Sequence, residues 1–315
     1  MSGNGGEKRK ADEMTAAADV VEVPLAELKD VAQKGVSKLG YNEEDTKVIC
    51  DILMYSQLRG GNQGLIKIIT HGADKAPDCV PAKVVHESKL SARLDGGKTH
   101  GMLVVSKAVN MAIAKAKEHG FGMVGTSNTS TSTGSIGYYA RAIADAGLIA
   151  FCFAQSPEFV APFGAYEALL GTNPIAVGIP REEGKEPIVL DMATAAYPFF
   201  GLLEAKTAGK PIPGDVAYDA EGKATTDPAE ALKGAIRVFD RCKRDSAFRS
   251  MRLVFGKRVP ASRGHRTVWS VCGSFAQRIP RFRSRSRLST FNRLRVCYHS
   301  TTTNSLIRWQ GPWKL

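Results

Sequence analysis

Apolar positions recur with helical spacing near the start of the chain. Leu25, Leu28, Val31, Ala32 and Val36 share one side of a helix expected over 24–39, with Pro24 suited to the first turn and Gly40 just past the end. A second helix, over 43–58, places Val48, Ile49, Ile52, Leu53 and Tyr55 together, so the two read as an antiparallel hairpin. The pattern breaks at Arg59-Gly60-Gly61-Asn62-Gln63-Gly64, too glycine-rich for a helix interior, and resumes at Leu65-Ile66-Lys67-Ile68-Ile69. This is a bend with a polar tip. Short strands at 83–85 and 91–94 flank a turn, and Asp95-Gly96-Gly97 closes the second.

Over 102–118 the residues Val105, Ala108, Val109, Ala112, Ile113 and Ala116 describe an amphipathic helix that His119-Gly120 ends. A short strand at 121–125 leads into 126–135, a run of Thr, Ser, Asn and Gly. A helix at 136–146 and a fully apolar, parallel-type strand at 148–154 follow. This alternation of strand and helix predicts α/β layers. Gly120-Phe-Gly-Met-Val-Gly125 matches G-x-G-x-x-G, but it follows a helix and lies across a strand. A dinucleotide fingerprint must follow a strand and open a helix, so the match is set aside.

The stretch from Leu170 to Thr194 reads as two strands and two polar corners. Gly171-Thr172-Asn173-Pro174 lets backbone and short side chains approach a ligand closely. Ile188-Val189-Leu190-Asp191-Met192-Ala193-Thr194 ends a strand with a carboxylate and a hydroxyl, and ligands of open α/β sheets sit beyond the carboxyl ends of strands. The same residues suit a tight turn and a cap. Spacing alone does not choose between these uses.

Charge divides the chain. Residues 1–240 hold 25 Lys+Arg against 30 Asp+Glu, whereas 241–315 hold 18 against the single Asp245, so the net +12 of the whole belongs to the tail. All three tryptophans, Trp269, Trp309 and Trp313, lie there too. Cys50, Cys79 and Cys152 show no metal-ligand spacing and read as thiols of a reducing compartment, with no metal expected. No apolar run approaches membrane-spanning length and residues 1–19 are polar, small and charged, so a cytoplasmic chain with a disordered N-terminus over 1–23 is expected, with no membrane partner.

Gly171-Thr-Asn-Pro174, Leu190-Asp-Met-Ala-Thr194, Gly137-Tyr-Tyr-Ala140, and Gly209-Lys-Pro-Ile-Pro213 followed by Thr226-Asp-Pro228 together resemble the type-2 malate/L-lactate dehydrogenase family. The likeness runs in order over 24–240. It implies an α/β, mixed-sheet fold that is not the Rossmann one, with an N-terminal helical hairpin. It also implies an NAD- or NADP-dependent oxidoreductase acting on a small 2-oxo or 2-hydroxy acid, working as a homodimer. By the resemblance Gly171, Thr172, Asn173, Pro174, Asp191, Met192, Ala193 and Thr194 line the cofactor site, and Asn128 joins them. Hydride transfer needs ring and substrate carbon held face to face, which small residues permit.

The departures fall on the chemistry. Where the resemblance implies a proton-carrying histidine and, four residues on, a carboxylate-gripping arginine, this chain has Gln63 and Lys67, its candidate catalytic residues. Lys67 lacks the planar fork of arginine, and Gln63 moves no proton near neutral pH. A second histidine expected after Ser127-Asn128 is replaced by Thr129. His71, His86, His100 and His119 read as surface or helix-end residues. Lys67, Tyr138, Tyr139 or a water is then left to supply the proton, and Arg59 is a candidate neighbour to lower the pKa of Lys67. A non-catalytic binding protein of the same fold is the alternative.

After Asp240 the resemblance stops, and Arg/Ser clusters such as Arg281-Phe-Arg-Ser-Arg-Ser-Arg287 take over. A break in mid-element is what an out-of-frame join produces, and the self-repelling tail is expected to be disordered. Otherwise it is a nucleic-acid-binding segment, with Arg for phosphates and Trp for stacking. Reading the underlying nucleotide sequence in its other two frames should uncover a glycine-rich turn with a lysine and a long apolar helix. Their absence, with salt-sensitive RNA or DNA binding by the chain, decides for the basic segment.

Overall fold

In the computed structural model, which describes residues 23–239 and 267–272, α1 (Leu25–Ser37) turns back at Gly40, in the left-handed region at φ +86°, onto α2 (Glu43–Gln57). Asn42 caps α2 by accepting from the Asp45 N–H at 2.8 Å. Leu28, Ala32 and Val36 are the inner stripe of α1, while Leu25 and Val31 are exposed. The stripe is narrower than the sequence suggests because α1 packs mainly on one partner, α2. After the glycine bend comes a single turn, α3 (Ile66–Ile69).

The hairpin of β1 (Lys83–Glu87) and β2 (Ser91–Asp95) is antiparallel. Next, α4 (Gly101–His119) lies directly on β3 (Phe121–Ser127). Gly120 ends α4 in the left-handed conformation, and a Cβ on Gly122 would come within 2.2 Å of the Ala112 carbonyl oxygen. The glycines of that G-x-G-x-x-G thus stop a helix and allow close packing.

Then follow α5 (Gly137–Asp145), β4 (Ile149–Phe153), β5 (Val160–Ala161), β6 (Ile175–Ile179) and β7 (Ile188–Met192). The last elements are α6 (Phe199–Thr207), β8 (Ala217–Tyr218), α7 (Pro228–Ala231), β9 (Ala235–Arg237) and β10 (Thr267–Cys272). The main sheet has the order β1-β2-β3-β10-β4-β6-β7, and β5-β9-β8 form a smaller one. Residues of α2, α4 and α5 pack with Leu94, Val124, Ala150 and Cys152 in the larger core, which also buries Cys50. Val160, Leu202, Ile212, Ala217 and Ile236 make a second core around the small sheet.

The main sheet is mixed, as expected. Strand β4 pairs parallel with β10 but antiparallel with β6, which corrects the reading of it as parallel-type. Its apolar residues reflect cover on both faces, with Ala150 and Cys152 in the main core and Phe151 beside Val177 and Leu190 on the other side. From the pairing directions, β2, β3, β10, β4 and β7 end at one edge, where β6 begins.

The largest departure is β10. It lies in the tail expected to be disordered, yet its backbone fills the gap between β3 and β4 from Thr267 opposite Phe121 to Cys272 opposite Thr126. Without it, two interior edges of the sheet would face each other unpaired. The remainder of the tail, including the Arg/Ser clusters, and residues 1–22 lie outside the described residues.

Strand β6 is pressed against α5 at Gly178, where a Cβ would lie 2.2 Å from the Ala140 carbonyl oxygen and 2.8 Å from its carbon. Gly178→Ala should therefore cost about 1–3 kcal/mol by overpacking, read as a lower urea midpoint with an unchanged slope.

Candidate active site

The loops at that edge carry the polar stretches singled out in the sequence. The 126–135 run follows β3, the 171–174 corner precedes β6, and residues 193–198 follow β7. Their side chains form four small constructions.

The first surrounds Lys67, which is fully buried. Its Nζ donates to Ser132 Oγ at 2.6 Å and sits 3.8 Å from the centre of the Phe200 ring. Its stem lies against Gly72, where a Cβ would come 3.1 Å from Lys67 Cγ. No carboxylate pairs with it among the described residues. Burial alone pushes its pKa down from 10.5 to about 7. Arg59 has no part in this. Its guanidinium lies over the Tyr55 ring and donates to the Tyr55 carbonyl at 3.2 Å. Lys67 is thus enclosed, which suits an open grip on a substrate carboxylate poorly.

His100 belongs to the same construction. It stands at a helix end, as expected, but is only 2 % exposed. Its Nδ1 accepts from the Met102 N–H at 3.2 Å, and its ring meets the Tyr41 ring edge to face. Burial pushes the imidazole down to about 4; the Lys67 charge adds to the effect, and the Gly72 backbone and Asp74 oppose it. Nε2 has no hydrogen-bond partner of normal geometry.

The second construction is the 171–174 corner. The Ser156 hydroxyl accepts from the Thr172 N–H at 2.9 Å, and a Cβ on Gly171 would come within 2.5 Å of the Ser156 carbonyl oxygen. The Thr194 hydroxyl lies 3.1 Å from both the Thr172 and Asn173 carbonyl oxygens, and its N–H donates to Thr172 at 2.9 Å. Pro174 accepts from the Ala154 N–H at 3.3 Å. Asn173 adopts φ +35°, and its buried Oδ1 is without a hydrogen-bond partner. The corners at 171–174 and 194 are therefore one unit, and it encloses an acceptor without a partner.

Asp191 makes the third. Its Oδ2 accepts from the Ser135 hydroxyl at 2.7 Å and the Gly137 N–H at 2.8 Å, so it caps the start of α5. Surrounding protein raises its pKa, and the two donors oppose that. The residue keeps an open side to solvent, so screening by water outweighs the crowding and the carboxylate serves as a cap. Met192, paired opposite Ile175, and Ala193, packed into the second core, are half-buried.

The fourth holds Asn128, at φ +54°, whose amide donates to Asp95 Oδ1 at 2.7 Å. That carboxylate also accepts from the Gly97 N–H at 2.8 Å. This side chain joins the ends of β2 and β3. Gln63 is half-buried in the turn before α3, and neighbouring Asn62 approaches Gly201 of α6. Of the tyrosines, Tyr139 hydrogen-bonds the Thr133 carbonyl at 2.7 Å and Tyr138 packs edge-on against Tyr55.

Ser132, Ser156, Ser135 and Phe200 were not singled out individually in the sequence. The serine-threonine run pointed to the right loop but not to the hydroxyl facing Lys67. Among the described residues no cluster of His, Cys, Asp and Glu is arranged for a metal, and no helix is long and apolar enough to cross a membrane.

An α/β fold whose mixed sheet collects glycine- and hydroxyl-rich corners at one edge has close counterparts of known class. The profile of the malate/L-lactate dehydrogenase family matches residues 23–244, and the chain belongs to that family. It is 36% identical over 216 residues to L-sulfolactate dehydrogenase from Methanocaldococcus jannaschii, covering 65% of this chain and 60% of that protein. It is 36% identical over 222 residues to malate dehydrogenase from Pyrococcus horikoshii, covering 68% and 60%. Among solved structures, a dehydrogenase from Sinorhizobium meliloti matches with a TM-score of 0.63 at 28% identity, over 78% of this chain and 74% of that one. Malate dehydrogenase from Entamoeba histolytica matches with 0.62 at 30% identity, over 69% and 63%. The chain spans 60% of the length of the two curated relatives.

Lys67 offers a direct measurement. Its folded-state pKa of about 7 lies below the 10.5 of an unfolded chain, so the unfolded state binds more protons between those values and stability rises with pH across that window. Lys67→Met should stabilise the fold at pH 6 by up to roughly 5 kcal/mol, an advantage that shrinks towards pH 10. Urea midpoints of both proteins from pH 6 to 10 check it. For His100 the sign is the same and the window lower: stability is lost as pH falls from 6.5 to about 4.

Proposed function

We propose that this chain carries the site of a cytoplasmic, homodimeric NAD- or NADP-dependent oxidoreductase that interconverts small 2-oxo and 2-hydroxy acids of the malate, lactate or sulfolactate kind. The observation that carries the reading is the unpartnered Asn173 Oδ1, held by Gly171, Ser156 and Thr194 in a corner at the strand-end edge. A buried acceptor without a donor costs stability unless a ligand supplies one, and a nicotinamide nucleotide offers amide and ribose donors. The names of the relatives support the substrate class.

In this reading Gly171 and Asn173 hold the nicotinamide half, which when bound supplies the acceptor for the hydride. Asp191 and Thr194 act behind them, fixing the corner and the start of α5. Gln63 in the turn before α3 gives a specific reason to keep a second reading, a non-catalytic cofactor binder of the same fold.

Titrating the purified chain with NADH and NADPH, followed by cofactor fluorescence, tests both. Saturable binding of one cofactor below millimolar, weakened about tenfold in Asn173→Ala, is expected, together with turnover of a 2-hydroxy acid. Binding without turnover favours the second reading. A folded sample that binds neither cofactor at millimolar concentration overturns both.

A further inference from the structure

The oxidation proposed above releases a hydroxyl proton, and neither Gln63 nor Thr129 can take it up. Behind the 126–135 loop lies a buried amine that no carboxylate among the described residues neutralises, hydrogen-bonded to a serine that is only half-buried. Resting on that functional reading, we propose that Ser132 exchanges a proton with the substrate hydroxyl and passes it to Lys67.

The geometry gives each group one task. Lys67 is sealed by Phe200, Gly72 and the loop, so a substrate meets Ser132 Oγ first. That oxygen is already engaged by the Lys67 amine at 2.6 Å and the Gly134 N–H at 3.1 Å, which fixes its position. In oxidation the carbon-bound hydrogen leaves as hydride for the nicotinamide ring and the C–O bond becomes C=O. The hydroxyl proton moves to Ser132 Oγ as the serine's own proton moves to the neutral Lys67 Nζ, giving an ammonium. Once the product has left, that proton returns through Ser132 Oγ to water before the next turnover. Reduction reverses each transfer.

The neighbours agree with this division. Tyr139 spends its hydroxyl on the Thr133 carbonyl, and Tyr41 hydrogen-bonds the Ala73 carbonyl at 3.1 Å. Asp74 is paired with His71 at 2.8 Å. His100, the other base nearby, is held neutral down to about pH 4, so it carries no charge near neutral pH. A lysine brought to about 7 by burial suits proton uptake near neutral pH.

The test uses the full chain, with malate, lactate and sulfolactate and their oxo acids as substrates from pH 5.5 to 9.5. Ser132→Ala should lower kcat about 100-fold or more while KM and the NADH titration hold. In the wild type, kcat/KM for oxidation should rise through an inflection near pH 7, absent in the residual activity of Lys67→Met. Lys67→Arg keeps the charge but cannot give up a proton, so it should not restore the rate. Restoration by Lys67→Arg would show that a fixed cation is what matters, and full activity in Ser132→Ala would remove the serine; either overturns the relay and leaves the oxidoreductase standing. A wild type that binds cofactor but turns over none of these acids overturns both proposals together. If Lys67→Arg does not fold, the unfolding comparison with Lys67→Met still decides: a gap in urea midpoints that stays constant from pH 6 to 10 would show Lys67 charged throughout, and the relay would fall.

Discussion

An ammonium taken out of water with no carboxylate beside it among the described residues is the constraint around which this site is arranged. The unfavourable burial of Lys67 is met by a serine hydroxyl and the face of Phe200, neither of which cancels a full charge. Three separate parts of the chain are tied to that one side chain: the turn after α3 at Gly72, the hydroxyl-rich loop after β3 and the first turn of α6. A stable fold that needed only packing would place an apolar residue there. The protein keeps the amine, and the amine is held where its charge is easily lost.

The edge of the sheet explains how such different loops meet. Strands β2, β3, β10, β4 and β7 all end on the same side, so the loops that follow them have nowhere else to go. There the side chains mostly hold other loops. Asp191 ties β7 to α5, Asn128 ties β3 to β2, and Thr194 ties the two corners together. Asn173 Oδ1 is left over, buried and without a hydrogen-bond partner.

Much of this was legible in the residues. Helical spacing located α1, α2, α4 and α5 because each has a face that must be buried, and the family's corners located the strand ends. What the sequence pattern could not convey was direction and enclosure. Whether Asn128 faces a cofactor or Asp95 depends on its positive φ and on a strand distant in sequence. Lys67 reads as a surface-seeking cation in a polar bend, and only the fold puts Phe200 over it. His100 reads as a helix end, which it is, but its burial comes from Tyr41, contributed by the turn before α2. In the tail, a charge summed over many residues hid the uncharged Thr-Val-Trp-Ser-Val-Cys stretch, whose β-branched and aromatic residues favour a strand.

The position of β10 also sets an order of events during synthesis. The middle place in the sheet belongs to the stretch that leaves the ribosome after every other described strand. Until Cys272 has emerged, β3 and β4 are already made and each offers an unpaired row of backbone donors and acceptors. Pairing over such a separation in the chain is slow, and an intermediate with open interior edges is prone to capture by its neighbours. The nascent protein therefore passes through a stage at which β3 and β4 are made but the place between them is not yet filled, and its yield depends on how long that stage lasts.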